Sequence, residues 1–247
     1  MNDRQIWLVE MGIEPYGPVH ALQHNLVAWR RQGVVQDTLL LLEHTPVITL
    51  GRRGDPEHIL ASPEYLQREG IEVHRIERGG DVTYHGPGQI VGYPILRLAD
   101  YGLGVSDYMH RLEEVIIRTL ADWRLDARRR EEYIGVWVGT NKIAALGVRI
   151  RHGISFHGFA LNVAPNMNHW ACIVPCGITD GGVTAIAHEL PDAPSLPDVR
   201  RRLAHHLAGL FGATMGPISL DQLYDRVRRA GGTVPPPGEH VSPTPPL

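Results

Sequence analysis

The chain is almost without lysine: of its 24 Lys and Arg residues, 23 are arginine and one is Lys142. It is also poor in cysteine, with two, and in phenylalanine, with three. Each scarcity excludes something. Cys172 and Cys176 are too few for a disulfide framework in a domain of this size, and a Cys-x-x-x-Cys pair alone is a weak zinc signal. No apolar run approaches the roughly 18 residues of a membrane span. The N-terminal MNDRQIWLVEMG has no signal-peptide pattern, so the expected location is the cytoplasm. A net charge of -3, with only short arginine runs at 128–130 and 200–202, argues against a nucleic-acid partner. There is no G-x-x-x-x-G-K-[ST] phosphate loop, no G-x-S-x-G elbow and no internal repeat; the GLG at 102–104 opens no dinucleotide fingerprint.

What remains is an ordinary globular composition, 43% hydrophobic, over 247 residues. Loose alternation predicts a strand at 6–11. Val19, Leu22, Leu26 and Trp29 make one apolar face of a helix over 18–33. His20 and His24 sit one turn apart on it, a metal-ligand spacing without the glutamate of H-E-x-x-H, and read as ordinary helix residues. DTLLLLE at 37–43 and PVITL at 46–50 read as buried strands, 63–70 as a short helix, and 71–76 and 89–98 as strands. Ser106 is placed to cap a long helix to Trp123. Strands return from Tyr133, with hairpin breaks at 139–141 and 151–153, and helices are expected over 197–212 and 220–230. Strands dominate with helices irregularly interspersed, which predicts an α+β fold on a mixed sheet. One domain is expected over 1–230, followed by a proline-rich tail over 231–247 that is disordered or extended.

Five residues could carry chemistry. Guanidinium stays charged in a protein, whereas a partly buried ammonium can lose its proton and act as a base. Lys142, in GTNKIAALGVRI at 139–150, is therefore a candidate base, although drift of composition towards arginine would also leave a solitary lysine. Cys176 lies in P-C-G-I, where proline fixes the approach of the chain and glycine leaves the thiol uncrowded. That suits a nucleophile and equally suits a structural loop cysteine. His85 in YHGPG and His157 in FHGF are each followed by glycine and could bind substrate or assist proton transfer. Arg78, beside Gly79 and Gly80, is a candidate anchor for an anion or carbonyl.

Taken in order, RGGDVTYHGPGQ at 78–89, GVWVGTNKIAALGVRI at 135–150, HGFALN at 157–162 and PCGIT at 175–179 resemble the octanoyltransferases of lipoate biosynthesis, the lipoate–protein ligase B family. The resemblance runs from about residue 39 to 190. TAIAHEL departs from the serine more often found after that threonine, and the tail is an extension. The resemblance implies transfer of an octanoyl group from acyl carrier protein to a lysine of a lipoyl domain, as in 2-oxoacid dehydrogenase complexes and the glycine cleavage H protein. It makes Cys176 the acyl-thioester carrier and Lys142 its activator. It also implies a substrate pocket lined by Arg78, Gly79, Gly80, Asp81, Val82, Thr83, Tyr84 and His85, by Ala145, Leu146 and Gly147, and by Gly158, Phe159 and Ala160, with His157 as an accessory. No cofactor, neither ATP nor metal, is implied. The fold implied is the catalytic domain shared by biotin and lipoate ligases, a mixed sheet flanked by helices.

Overall fold

The structure, a computed structural model, describes residues 4–131, 133–174 and 181–234. Cys176 and the tail from residue 235 onward lie outside the described residues. The elements run β1 (Gln5–Glu14), α1 (Tyr16–Gln32), β2 (Thr38–His44), β3 (Val47–Leu50), α2 (Pro63–Arg68), β4 (Glu72–Arg75), β5 (Val82–His85), β6 (Gln89–Ile95) and α3 (Val105–Ala121). They continue with β7 (Ala127–Arg130), β8 (Tyr133–Val138), β9 (Asn141–Arg151), β10 (Ile154–Asn162), α4 (Ile186–Glu189), α5 (Leu196–Phe211), β11 (Thr214–Pro217) and α6 (Leu220–Arg229).

Eight strands form one sheet in the order β11-β1-β2-β6-β10-β9-β8-β7. The β1 pairs with β11 and β2 are parallel, and the rest of the sheet is antiparallel. A smaller sheet, β4-β3-β5, stands apart from it. The α+β expectation holds.

The leucine run in β2 shows why the large sheet is covered on both faces. Side chains alternate along a strand. Leu39 and Leu41 enter one core with α3 and α5, and Leu40 and Leu42 enter the opposite core with α1 and α6. All four are fully buried, each contributing on the order of 1.5–3 kcal/mol. A third cluster joins the small sheet, through Ile48, Val82 and Tyr84, to Trp170 and Cys172.

Three local expectations shift. The first helix begins two residues early, at Tyr16 behind Pro15, and ends at Gly33 in the left-handed region. The long helix starts at Val105 with Gly104 at its N-cap, so Ser106 lies inside its first turn and does not cap it. The apolar segment after residue 182 includes the short helix α4. At the end of the described chain, Gly232 N–H donates to the Val227 carbonyl and Val234 packs on the α1–α6 core. No helix among the described residues is long and apolar enough to cross a membrane.

Candidate active site

A cleft with about 470 Å³ of empty space lies against β10 and β9. Its wall is made by Ala145, Leu146 and Gly147 of β9 and His157, Gly158, Phe159 and Ala160 of β10. Thr83 and His85 of β5, Tyr93 of β6, Tyr16 of α1, and Arg78 and Gly80 of the β4–β5 loop complete it.

Two glycines allow this assembly. A Cβ on Gly147 would lie 2.8 Å from the Gly79 carbonyl oxygen, and one on Gly158 would lie 2.2 Å from that of Gly92. Real Cβ atoms do not approach backbone so closely, so glycine at 147 lets the β4–β5 loop close onto β9. The Gly79 N–H donates to the Val148 carbonyl across that contact.

Arg78 fixes the same loop. Its guanidinium, 7% exposed, donates from Nη2 to the Thr49 carbonyl at 2.7 Å, to Thr49 Oγ1 at 3.0 Å and to the Asp81 carbonyl at 2.9 Å. Its Nη1 donates to the Gly79 carbonyl at 3.0 Å. A planar fork of donors suits this convergence of carbonyls. The carbonyl-anchor reading of Arg78 therefore applies within the protein, to its own loop.

Burial strips charge from the rings of the cleft wall. Desolvation raises the Tyr16 and Tyr93 phenols well above their ordinary value. Desolvation, with His44 nearby, lowers His85 to about 3, and desolvation holds His157 well below the usual histidine range. Beneath the wall, desolvation lowers His44 to about 4. Neutral His44 donates from Nδ1 to the Glu14 carbonyl, and its Nε2 accepts from the Tyr93 hydroxyl at 2.8 Å. A ring as weakly basic as His85 is a poor proton acceptor near neutrality. Its Nδ1–H donates to Gln89 Oε1 at 2.7 Å, since the Gln89 amide nitrogen is occupied with the Tyr84 carbonyl and Asn162 Oδ1.

That glutamine begins a relay of fixed bonds to the lysine strand. Asn162 Nδ2 donates to the Thr184 carbonyl, Thr184 N–H donates to the Lys142 carbonyl, and Lys142 N–H donates to the Gly182 carbonyl. The Lys142 side chain is buried, 6% exposed, with Nζ 4.9 Å from the centre of the Trp137 ring. Gly135, at φ 142°, makes room for its stem: a Cβ there would be 3.0 Å from Lys142 Cε. The strand that carries Lys142 continues into Ala145–Gly147 at the cleft wall.

Of the residues expected to line a pocket, Arg78, Gly80, Thr83, His85, Ala145, Leu146, Gly147, Gly158, Phe159, Ala160 and His157 surround the cleft. Four do not. Gly79 faces β9 through its backbone, and the Asp81 carboxylate pairs with His58 at 2.6 Å. Val82 and Tyr84 point into the third core, where the Tyr84 hydroxyl bonds His169 Nδ1. These four hold the loop and strand in place. Strand alternation separates Val82 and Tyr84 from Thr83 and His85.

Tyr16 and Tyr93 line the cleft without a local signal for it. In the sequence they look like any core aromatic of a helix and a strand. His20 and His24 depart from the ordinary-helix reading: both bond Glu77, at 3.1 and 2.7 Å. The carboxylate absent from their own helix arrives from the β4–β5 loop. Burial raises the Glu77 carboxyl, but the bonds from His20 and His24 outweigh that and hold it well below the usual range.

Comparison with known proteins gives one family. The lipoyl protein ligase A/B catalytic domain matches residues 15–208. A protein of Chloroflexus aurantiacus named octanoyltransferase is 46% identical over 204 residues, covering 81% of this chain and 92% of its own. A second, from Caldicellulosiruptor bescii, is 41% identical over 220 residues, covering 88% and 96%. Among solved structures, lipoate-protein ligase A bound with ATP aligns at a TM-score of 0.71 and 17% identity, over 92% of this chain and 93% of that one. The bipartite lipoate protein ligase of Thermoplasma acidophilum aligns at 0.70 and 16%, over 92% and 91%. At those identities the likeness is one of fold.

Proposed function

Since the chain belongs to the lipoyl protein ligase A/B catalytic-domain family, we propose that it is an octanoyltransferase of protein lipoylation. The donor is octanoyl-acyl carrier protein and the acceptor is the ε-amine of a lysine on a lipoyl domain, both in the cytoplasm. Residues 1–230 form the catalytic unit. The observation that carries this reading is the burial of the only lysine of the sequence on the strand that continues into the wall of the cleft.

The reaction runs in two steps. Lys142, as the neutral amine, takes the thiol proton of Cys176. The thiolate attacks the donor's thioester carbonyl, the bond to the pantetheine sulfur breaks, and that sulfur leaves with the proton. One thioester replaces another, so this exchange is nearly balanced. The acceptor amine then attacks the Cys176 thioester, loses its proton to Lys142, and displaces the Cys176 sulfur, which regains a proton. Thioester becomes amide, and that step is downhill. Neither step consumes ATP. Cys176 stands six residues before Gly182, whose carbonyl accepts the Lys142 backbone N–H.

The cleft takes the acyl chain. Leu146, Phe159, Ala145 and Ala160 offer apolar contact, and the neutral rings of Tyr16, Tyr93, His85 and His157 add no charge against a hydrocarbon tail. Burying such a tail contributes about 0.8 kcal/mol per methylene, so discrimination between neighbouring chain lengths is modest.

The test is incubation with octanoyl-acyl carrier protein without ATP, followed by peptide mass spectrometry. An octanoyl adduct on Cys176 is expected, and Cys176→Ala should be inactive. Cys172 is buried at the third core, and burial raises its thiol, which makes it a poor nucleophile. An adduct on Cys172, no adduct, or transfer only from free octanoate with ATP would overturn the reading. The last outcome would indicate a ligase that activates a free acid.

A further inference from the structure

Three metal-type donors, His20, Glu77 and His157, converge behind the cleft wall from three separate parts of the chain, with His24 beside the first two. His20 and His24 come from adjacent turns of α1, Glu77 from the β4–β5 loop, and His157 from β10. Donor atoms of His20, Glu77 and His157 all lie within 4.8 Å of one another. His20 Nε2 is 3.1 Å from Glu77 Oε2, and His24 Nε2 is 2.7 Å from Glu77 Oε1 and 3.3 Å from His20 Nε2. His157 Nε2 is 4.0 Å from Glu77 Oε2. A tetrahedral zinc ion with bonds of about 2.0–2.1 Å holds its ligand atoms roughly 3.3 Å apart, and these separations bracket that spacing.

Ion pairing alone accounts for His20 and His24, whose Nε2 atoms meet the carboxylate directly. It does not account for His157. That residue is 2% exposed, and its Nε2 has no hydrogen-bond partner among the described residues. It is also held at φ 55°, a left-handed conformation costly for a residue with a Cβ. The Gln23 side chain, from α1 between the other two histidines, accepts its backbone N–H at 2.8 Å. A buried imidazole nitrogen without a hydrogen-bond partner, held in a strained conformation 4.0 Å from a carboxylate oxygen, with its ring stacked on that of His20, is in a position a metal ligand would occupy.

We propose that His20, His157 and Glu77, with His24 as the fourth donor, form a binding site for a divalent transition metal of the zinc type. Three imidazoles and one carboxylate are donors of borderline softness, suited to zinc and not to calcium or magnesium. With all four positions filled by protein, the site is closed, so its role is structural and not catalytic. It fastens α1 and the β4–β5 loop to β10, and His157 belongs to both the metal site and the cleft wall. The inference does not depend on the acyl-transfer reading, which needs no metal.

The test uses the full-length protein, stripped with chelator and dialysed against zinc, with metal content by plasma mass spectrometry and thermal melts. One zinc per chain is expected, with Tm raised by several degrees, because a ligand bound to the folded state alone stabilises it. Cobalt in place of zinc should give visible ligand-field bands without a thiolate charge-transfer band. Glu77→Gln and His20→Asn should weaken zinc binding at least tenfold, whereas the double variant Cys172→Ser, Cys176→Ser should retain it. His24→Asn, at a half-exposed position, gives the same reading should His20→Asn fail to fold. No stoichiometric zinc, a thiolate band with cobalt, loss of zinc in the cysteine variant, or undiminished binding in Glu77→Gln would each overturn the proposal.

Discussion

Replacing Lys142 with arginine puts a permanently charged guanidinium beside Trp137 and removes the amine able to exchange a proton there. General bases contribute about 10²–10⁴-fold, so transfer in single-turnover assays should fall by at least ~100-fold. Wild-type rates in that variant would remove Lys142 from the mechanism. No second lysine can substitute for it. Arg78→Lys tests a different property of the same pair of residue types. One ammonium cannot span the Thr49, Gly79 and Asp81 carbonyls that the guanidinium reaches together. Losing charge-assisted bonds at a buried site should destabilise the fold by at least ~2 kcal/mol, read from urea midpoints. At this scale the sequence was informative about residues flanked by glycine, because close backbone approach needs them. It was silent on Tyr16, Tyr93 and Glu77, whose importance arises only from which distant segments they meet.

The strands and helices themselves follow from short-range patterns, and their errors are local. The four leucines of β2 read as a strand buried on both faces, and both faces are indeed covered. Ser106 is a reasonable cap from its position, but the chain turns into the helix two residues earlier than that role requires, through Gly104. At α6 the expected chemistry can be tested cleanly. Ser219 accepts from the Gln222 backbone while the Gln222 side chain accepts from the Ser219 backbone, a reciprocal cap on an exposed helix. Ser219→Ala should cost about 1 kcal/mol in chemical denaturation and leave catalysis unchanged. Gly158→Ala, in contrast, drives a methyl into the Gly92 carbonyl of the neighbouring strand β6. It should cost on the order of 1–3 kcal/mol or more and weaken acyl binding together with stability. Near-normal melting of that variant would show that β6 and β10 can part without penalty.

Across the whole molecule, acid stability is governed by imidazoles that the fold keeps neutral. His44 and His85 have folded-state values of about 4 and 3, below the ordinary 6.5. Above pH 6.5 both the folded and unfolded chains hold them neutral, and stability is complete. Below it the unfolded chain binds protons that the folded chain refuses, so stability falls as pH falls, until the folded rings protonate near pH 4 and 3. Linkage sets the loss at up to ~1.4 kcal/mol per pH unit for each ring, or about 4 kcal/mol for the pair between pH 7 and 5. Urea midpoints across that range measure it, and His44→Asn should remove about half of this pair's contribution. A flat profile would mean that the two rings are protonated in the native state. The composition, with 14 histidines, does not disclose this. Only the fold decides which of them lose contact with water.

The pairing of the last strand with the first has a consequence for how the protein is made. β11 lies beside β1 at the edge of the large sheet, and the Thr214 N–H donates to the Arg4 carbonyl. A ribosome releases the N-terminal strand some two hundred residues before its outer neighbour exists. Throughout that interval β1 presents an unpaired parallel edge, the kind of surface on which nascent chains join one another. Vectorial synthesis thus leaves that edge of β1 open until β11 has emerged, and a chaperone that shields β1 would have its greatest effect on yield before then.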